Sequence, residues 1–350
     1  MSNARATHLT RRGVFAAGGA LGLGAVLAAC GDEDTSSGGS DAKASASAKA
    51  SGPWSFKDDR GETVTLDQVP TNIVAFVGVA AALYDYGIEV KGVFGPTKTQ
   101  DGKADVQAGD MDVSKLTVFG NVWDQFNVEQ YAAFRPDVLI STTFDSAGTL
   151  WYVPEASKDK IAKLAPSVAI SVYDRQMTEP LQRMWALAES LGADMKADKV
   201  VKAKQEFEAA AERLRKAAKA RPEIKVMAGS ASQEIFYVSG TNLSIDLEYF
   251  KALGVNFVEP PEQAKAQGGG WFESLSWENV DKYPADIIMM DDRSSTIQPA
   301  DITEGTWKKL PAVEAGQVIA RSPEPILSYD KCTPLLTNLA EAIEKAKKVA

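Results

Sequence analysis

Twice along this chain, short runs rich in Val and Ile alternate with amphipathic stretches, and two consecutive long helical patterns separate the two series. Strands that alternate with helices argue for open, mostly parallel sheets covered by helices, that is, an α/β architecture. The first series has strand patterns at 63–66, 73–77, 90–94, 138–141 and 168–172, with helices at 80–86, stopped by Gly87, and at 155–164. The second has strand patterns at 224–228, 235–238, 255–258, 287–290 and 318–320, a helix at 245–253 and a closing helix at 335–348. Between them, residues 180–191 place Leu181, Met184, Trp185, Ala188 and Leu191 on one helical face. Residues 198–220 do the same with Val200, Phe207, Ala210, Leu214 and Ala217, and the Arg221-Pro222 step ends that helix. At 350 residues the chain is long for one core. Two Rossmann-like lobes are expected.

The halves look related. Asn127-Val128-Glu129 leads to Arg135-Pro136-Asp137, and Ser276-Trp277-Glu278 leads to Pro284-Ala285-Asp286. In each, a capping residue lies two before a Glu, and an Asp eight positions beyond that Glu opens an apolar strand.

The N-terminus reads as an address rather than as fold. Arg5, Arg11 and Arg12 precede the first acidic residue, Asp32, and an apolar run rich in Gly and Ala fills 14–29. Leu27-Ala28-Ala29-Cys30 resembles a bacterial lipobox, and Thr10-Arg11-Arg12-Gly13 resembles a twin-arginine export signal. A signal peptide over 1–29 and lipidation of Cys30 are expected, attaching the protein to the outer face of the cell membrane. Residues 30–52 then serve as a tether, because 31–51 hold no large apolar side chain. Cys332 has no second thiol to pair with and sits in an apolar stretch as a buried small residue.

Charge and composition exclude several chemistries. A formal net charge of −9 with no basic cluster excludes nucleic acid as a partner. The one histidine, His8, lies in the leader. The rest of the chain therefore offers no imidazole for bare zinc, manganese or haem, and no Ser-His or Cys-His pair for catalysis. No phosphate-cradling Gly loop with Lys is present, so a binder without a cofactor is expected rather than an enzyme. A metal would arrive already chelated.

Several motifs in order resemble one family. They are Phe56-Lys57-Asp58-Asp59-Arg60-Gly61, the two Glu-to-Asp units above, Leu164-Ala165-Pro166-Ser167, Leu187-Ala188-Glu189-Ser190-Leu191-Gly192, Trp307-Lys308-Lys309-Leu310-Pro311-Ala312-Val313 and Ala315-Gly316-Gln317-Val318. Together they resemble the binding proteins of ABC importers for iron siderophores, haem and vitamin B12, over nearly all of 54–350. That resemblance implies two α/β lobes joined by one long, stiff helix, with the ligand in the cleft between them. It implies lobes at 53–178 and 197–350 with the bridge at 179–196. It also implies docking of Glu129 and Glu278 against arginines of a membrane permease. A monomer is expected.

The cleft residues follow from loops beyond the strand ends. Trp123 lies six before Glu129, Phe272 lies six before Glu278, and Trp271 stands beside it. By position these match aromatics of the family's B12 member. Trp151, Tyr152 and Tyr173 add aromatic surface of the kind that grips a large chelate. Arg175 and Arg293 are the cations of these loops, with Arg321 just outside; Arg175 is expected to donate to hydroxamate oxygens. Carboxylates outnumber them: Asp124, Asp145, Asp174, Asp291, Asp292, Glu324 and Asp330. That balance disfavours a trianionic tricatecholate and suits a neutral or cationic ferric hydroxamate such as a ferrioxamine. A cobalamin binder of the same family and an envelope enzyme are the alternatives.

Overall fold

The computed structural model describes residues 52–350. The leader, Cys30 and nearly all of the tether expected at 30–52 lie outside the described residues. A hairpin opens the fold, β1 (Trp54–Lys57) antiparallel to β2 (Thr63–Leu66). Its turn anchors it. Asp58 accepts from the amides of Arg60 and Glu62 and from that of Ala169, while Asp59 accepts from the amide of Ser171 and from Arg183 Nε. The Asp-Asp-Arg-Gly motif is thus a clamp onto the first sheet.

That sheet contains β3 (Ile73–Phe76), β4 (Gly92–Phe94), β5 (Thr117–Val118), β6 (Val138–Thr143) and β7 (Ser167–Ser171). It runs β5-β4-β3-β6-β7, all parallel. β3 and β6 are buried throughout, as expected for parallel strands covered on both faces. Helices α1 (Val77–Asp85), α2 (Val128–Phe134), α3 (Lys158–Leu164) and α4 (Thr178–Ser190) accompany it. α1 follows β3 without a loop and so begins three residues earlier than periodicity indicates.

α4 covers most of the segment 179–196 expected to bridge the lobes, starting one residue before it, and lies against β1, β7 and α1; Trp54 Nε1 donates to Ser190 Oγ at its end at 3.1 Å. The next helix, α5 (Asp198–Ala220), has 23 residues and is about 34 Å long at 1.5 Å per residue. It leads into the second sheet.

The second sheet holds β8 (Lys225–Ala231), β9 (Ile235–Ser239), β10 (Asn256–Phe257), β11 (Phe272–Ser276), β12 (Ile287–Asp291) and β13 (Val318–Arg321). Its order is β11-β9-β8-β12-β13, with β10 beside the start of β8. β10, β8, β12 and β13 are parallel, while β9 runs antiparallel to both β8 and β11. This sheet is therefore mixed. β11 occupies residues whose Gly-rich approach reads as loop. Helices α6 (Ile245–Ala252), α7 (Glu262–Lys265), α8 (Gly305–Lys308), α9 (Pro311–Glu314) and α10 (Tyr329–Lys345) complete the lobe. α10 starts well before residue 335: Ser328 Oγ accepts from the Lys331 amide, and Pro334 sits inside the helix, where proline usually signals a break.

α10 packs along α5 in one apolar cluster, with Phe207 edge-on to Tyr329 at 5.2 Å and Arg213 chelating Glu344. Cys332 is fully buried there, and burial pushes its thiol far above the ordinary value. A second cluster lies behind the mixed sheet, where Trp307 packs 5.7 Å from Phe236.

The related units of the two halves share a device. The Asp137 amide donates to Asn72 O, and Asp137 Oδ2 accepts back from the Asn72 amide at 2.8 Å, just before β3. The Asp286 amide donates to Lys225 O, and Asp286 Oδ2 accepts back from the Lys225 amide at 2.8 Å, at the start of β8. Each Asp ties its own strand to the parallel neighbour. The capping ends differ: Asn127 accepts from the Gln130 amide and opens an α-helix, whereas Ser276 makes no such bond and opens a 3₁₀ stretch over Trp277–Lys282.

Candidate functional site

Both sheets deliver residues to one cavity of about 730 Å³. The second sheet contributes the carboxyl ends of its strands: Ser230, Ser239, Asp291 and Arg321, from β8, β9, β12 and β13. The first lobe contributes the segment after β6, which folds back on it. Asp145 Oδ1 accepts from the Thr149 amide at 3.0 Å, Thr143 and Leu150 form an antiparallel bridge, and the Trp151 amide donates to Thr142 O at 2.9 Å. This return places Phe144, Leu150, Trp151 and Tyr152 in the wall.

The wall is a chain of aromatic rings. Trp151 stands 4.7 Å from Trp123, 4.6 Å from Phe144 and 5.8 Å from Tyr152. Phe144 reaches Trp271 of the opposite lobe at 6.3 Å. These separations are those of attractive edge-on and tilted pairs. Trp123 is the most open of them, 56% exposed at the rim. Tyr152 and Asp124 hold φ of 60° and 62°, backbone that a non-glycine residue adopts only when its surroundings impose it. On the facing side Gly269 and Gly270, at φ 65° and 89°, turn the chain into Trp271, whose carbonyl accepts from the Gly240 amide.

Both guanidiniums of the cavity are paired with the protein's own carboxylates. Arg321 is 4% exposed; its Nε and Nη2 chelate Asp246 at 2.7 and 2.9 Å, and Nη1 reaches Ser239 at 3.1 Å. Arg293 Nε and Nη2 bind Asp291 at 3.0 and 2.6 Å, and its Nη1 donates to Glu324. Burial works against the charged form of Arg293, but the bonds and charges of Asp291 and Glu324 outweigh it and raise its pKa. Burial, with the Glu324 charge, pushes the Tyr152 phenol up to about 12, so it enters the cavity as a neutral donor. Burial also raises the Asp292 carboxyl, with the Ser322 bond opposing and the Asp291 charge adding to the rise.

Of the expected ligand residues, Trp123, Trp151, Tyr152, Trp271, Phe272 and Arg293 line this cavity. Tyr173 and Arg175 stand outside its lining, and Arg175 Nη1 instead bonds Glu179 one turn along at 2.9 Å. Sequence reasoning passed over Phe144 and Leu150, although both lie in the segment after a strand end, and it placed Arg321 beyond the loops. Arg321 is the last residue of β13, where a side chain at a strand's carboxyl end still faces the cleft.

Glu129 and Glu278 are exposed in the first turns of α2 and of the 3₁₀ stretch. Among the described residues one group of three carboxylates converges, Asp85, Asp110 and Asp330; Lys331 Nζ lies 2.6 Å from Asp110 and 3.1 Å from Asp330. No helix among the described residues is long and apolar enough to cross a membrane.

The sequence pattern described as periplasmic binding protein matches residues 74–325. Among solved structures, the chain is 79% identical to DesE, a ferric-siderophore receptor protein from Streptomyces coelicolor, with a TM-score of 0.84 over 85% of this chain and 100% of that one. More distant structures share the fold. FhuD2 from Staphylococcus aureus with bound ferrioxamine B is 21% identical, with a TM-score of 0.51 over 78% of this chain and 98% of that one. The petrobactin-binding protein YclQ from Bacillus subtilis is 16% identical, with a TM-score of 0.61 over 84% and 99%. Comparison with curated proteins gave no match. A cleft built between two α/β sheets and the match across most of the chain agree: it belongs to the periplasmic binding protein family.

Proposed function

We propose that this protein is the extracytoplasmic solute-binding component of an ABC importer, and that its solute is a ferric siderophore of near-neutral or positive charge, a ferric hydroxamate of the ferrioxamine type. One observation carries the reading: a cavity of about 730 Å³ walled by Trp123, Phe144, Trp151, Tyr152 and Trp271, in which both guanidiniums are already bonded to the protein's own carboxylates. Such a site grips through apolar area and stacking and has no cation to spare for a trianion. The 79% identity to a ferric-siderophore receptor supports the siderophore class. The chemistry is capture and release, with iron as cargo held by its chelator and no reaction catalysed.

In this reading Cys30 carries the lipid that holds the protein at the membrane, and Glu129 and Glu278, one on each lobe, meet cationic side chains of the permease. The lobes divide where α5 begins. α4 is fastened to the first lobe as far as Ser190, so the stiff crossing is α5, with α10 packed beside it. Radioactive iron uptake tests the proposal. Cells lacking the protein should fail to import iron supplied as ferrioxamine B and regain import when it is restored. Undiminished uptake in the deletion refutes it.

A further inference from the structure

Glu324 stands where the two cavity walls meet. Its Oε1 accepts from Arg293 Nη1 of the second lobe, and its Oε2 accepts from Gln107 Nε2 at 2.9 Å and from Trp151 Nε1 at 3.1 Å, both of the first. Its side chain is 9% exposed and lines the cavity. Arg293 does not need Glu324 for neutralisation, because Asp291 already chelates it through Nε and Nη2. Glu324 is therefore a surplus charge: two carboxylates share one guanidinium, and the group as a whole is negative. Asp124, Asp145 and Glu155 also line the cavity, but Glu324 is the one that both bonds a cavity guanidinium and joins the two lobes. Arg321 adds no compensation, since Asp246 takes its charge.

We propose that Glu324 is a specificity-determining residue, the carboxylate that makes this cavity reject polyanionic iron chelates and admit neutral or cationic ones. The proposal rests on the siderophore reading above and names the residue that sets the charge preference. It occupies Arg293 Nη1, a donor that would otherwise be available to an anionic ligand oxygen. Its own charge also repels an anion across a partly dry cavity, where screening is weaker than in water. Rejection through an uncompensated like charge is a recognised route to specificity. Even with water-like screening, a carboxylate about 8 Å from a triply charged complex disfavours it about tenfold.

The test is a pair of titrations on purified protein, with ferrioxamine B as the cationic probe and ferric enterobactin as the trianionic one. Wild type should prefer ferrioxamine B. Glu324→Gln should move the ratio of the two Kd values towards enterobactin by about tenfold or more. Gln107→Leu removes a hydrogen bond to Glu324 without changing charge, so it should leave the ratio where it was. If Glu324→Gln weakens both ligands by the same factor, or if Gln107→Leu moves the ratio as far, Glu324 is a structural tie and the proposal is wrong. Should Glu324→Gln fail to fold, Asp291→Asn removes the other carboxylate on Arg293 and must shift the ratio in the same direction; no shift overturns the proposal. A wild type that binds neither probe refutes the solute reading and the selector with it, whereas a wild type that prefers ferrioxamine B with a ratio unmoved by the variants refutes the selector alone.

Discussion

Replacing Trp271 by Ala separates ligand contact from scaffold. Trp271 is half-buried at the mouth of β11, and its aromatic neighbour among the described residues is Phe144, across the cavity at 6.3 Å. Trp151, by contrast, packs against Trp123, Phe144 and Tyr152 and donates to Glu324. Truncating Trp271 therefore removes one wall of the cavity and leaves the first-lobe cluster intact. If a bound chelate covers about 100 Å² of the indole, the loss at about 25 cal/mol per Å² is about 2.5 kcal/mol. That corresponds to a Kd for ferrioxamine B weaker by about seventyfold, within the range of an aromatic anchor in a buried interface. Calorimetric titration measures it, with a thermal melt to show that the fold survives. Because apolar area rather than exposed charge carries the binding, the wild-type Kd should change little between low and high salt. A variant Kd within about threefold of wild type would show that Trp271 does not touch the ligand. A wild-type affinity that collapses in salt would show that charge, not area, holds it.

Other outcomes follow from the same structure. Glu129→Lys combined with Glu278→Lys should abolish iron uptake by cells and leave the affinity of the purified protein unchanged; a large loss of affinity would move these residues into the cavity. Cys30→Ala should release the protein into the medium or leave an uncleaved precursor, and unchanged lipid labelling would contradict the anchor. Asp246→Ala strands the Arg321 guanidinium, whose side chain is 5% exposed, and should cost about 3–5 kcal/mol in urea denaturation; a loss near zero would mean that water reaches Arg321. Burial pushes Asp85 from its ordinary 3.8 up to about 6, against the opposing Ser328 bond and Lys331 charge. The native state then keeps a proton that the unfolded state releases, so this contribution to stability is full in acid and is lost as pH rises through 6. Relative to Asp85→Asn, wild type should lose about 2 kcal/mol between about pH 4 and about pH 7, and parallel stability curves would refute the assignment.

Much of the fold was legible because its signals are local. The stripe of α5 and its Arg221-Pro222 stop delimit that helix at both ends as the structure has it. Apolar runs mark the openings of β6 and β12, which are buried throughout. The Asp137 and Asp286 units proved to be the same strand tie made twice. What escaped depends on distant contacts. β11 forms because β9 offers it an antiparallel edge, which the Gly-rich sequence before Trp271 does not announce. α10 runs through Pro334 because packing on α5 and the Ser328 cap hold its first turns. Phe144, just beyond β6, was not singled out, but Trp123, Trp271 and Phe272 were findable from strand ends, and Trp151 and Tyr152 as further aromatic surface, and all five line the cleft. The charges were not, because which carboxylate takes which guanidinium is set by tertiary placement. Arg175 spends its charge on Glu179 four residues away, and Arg321, at first sight outside the cleft, faces into it.

The central claim is that this cavity binds a near-neutral ferric chelate. It is tested most directly by titrating the purified chain, through its tryptophan fluorescence, with ferrioxamine B, a ferric tricatecholate and cobalamin. Rings that line the site at Trp123, Trp151 and Trp271 should report occupancy as quenching. The account predicts saturable, one-to-one quenching by ferrioxamine B, weaker binding of the tricatecholate and none of cobalamin; preference for the tricatecholate or for cobalamin would contradict it.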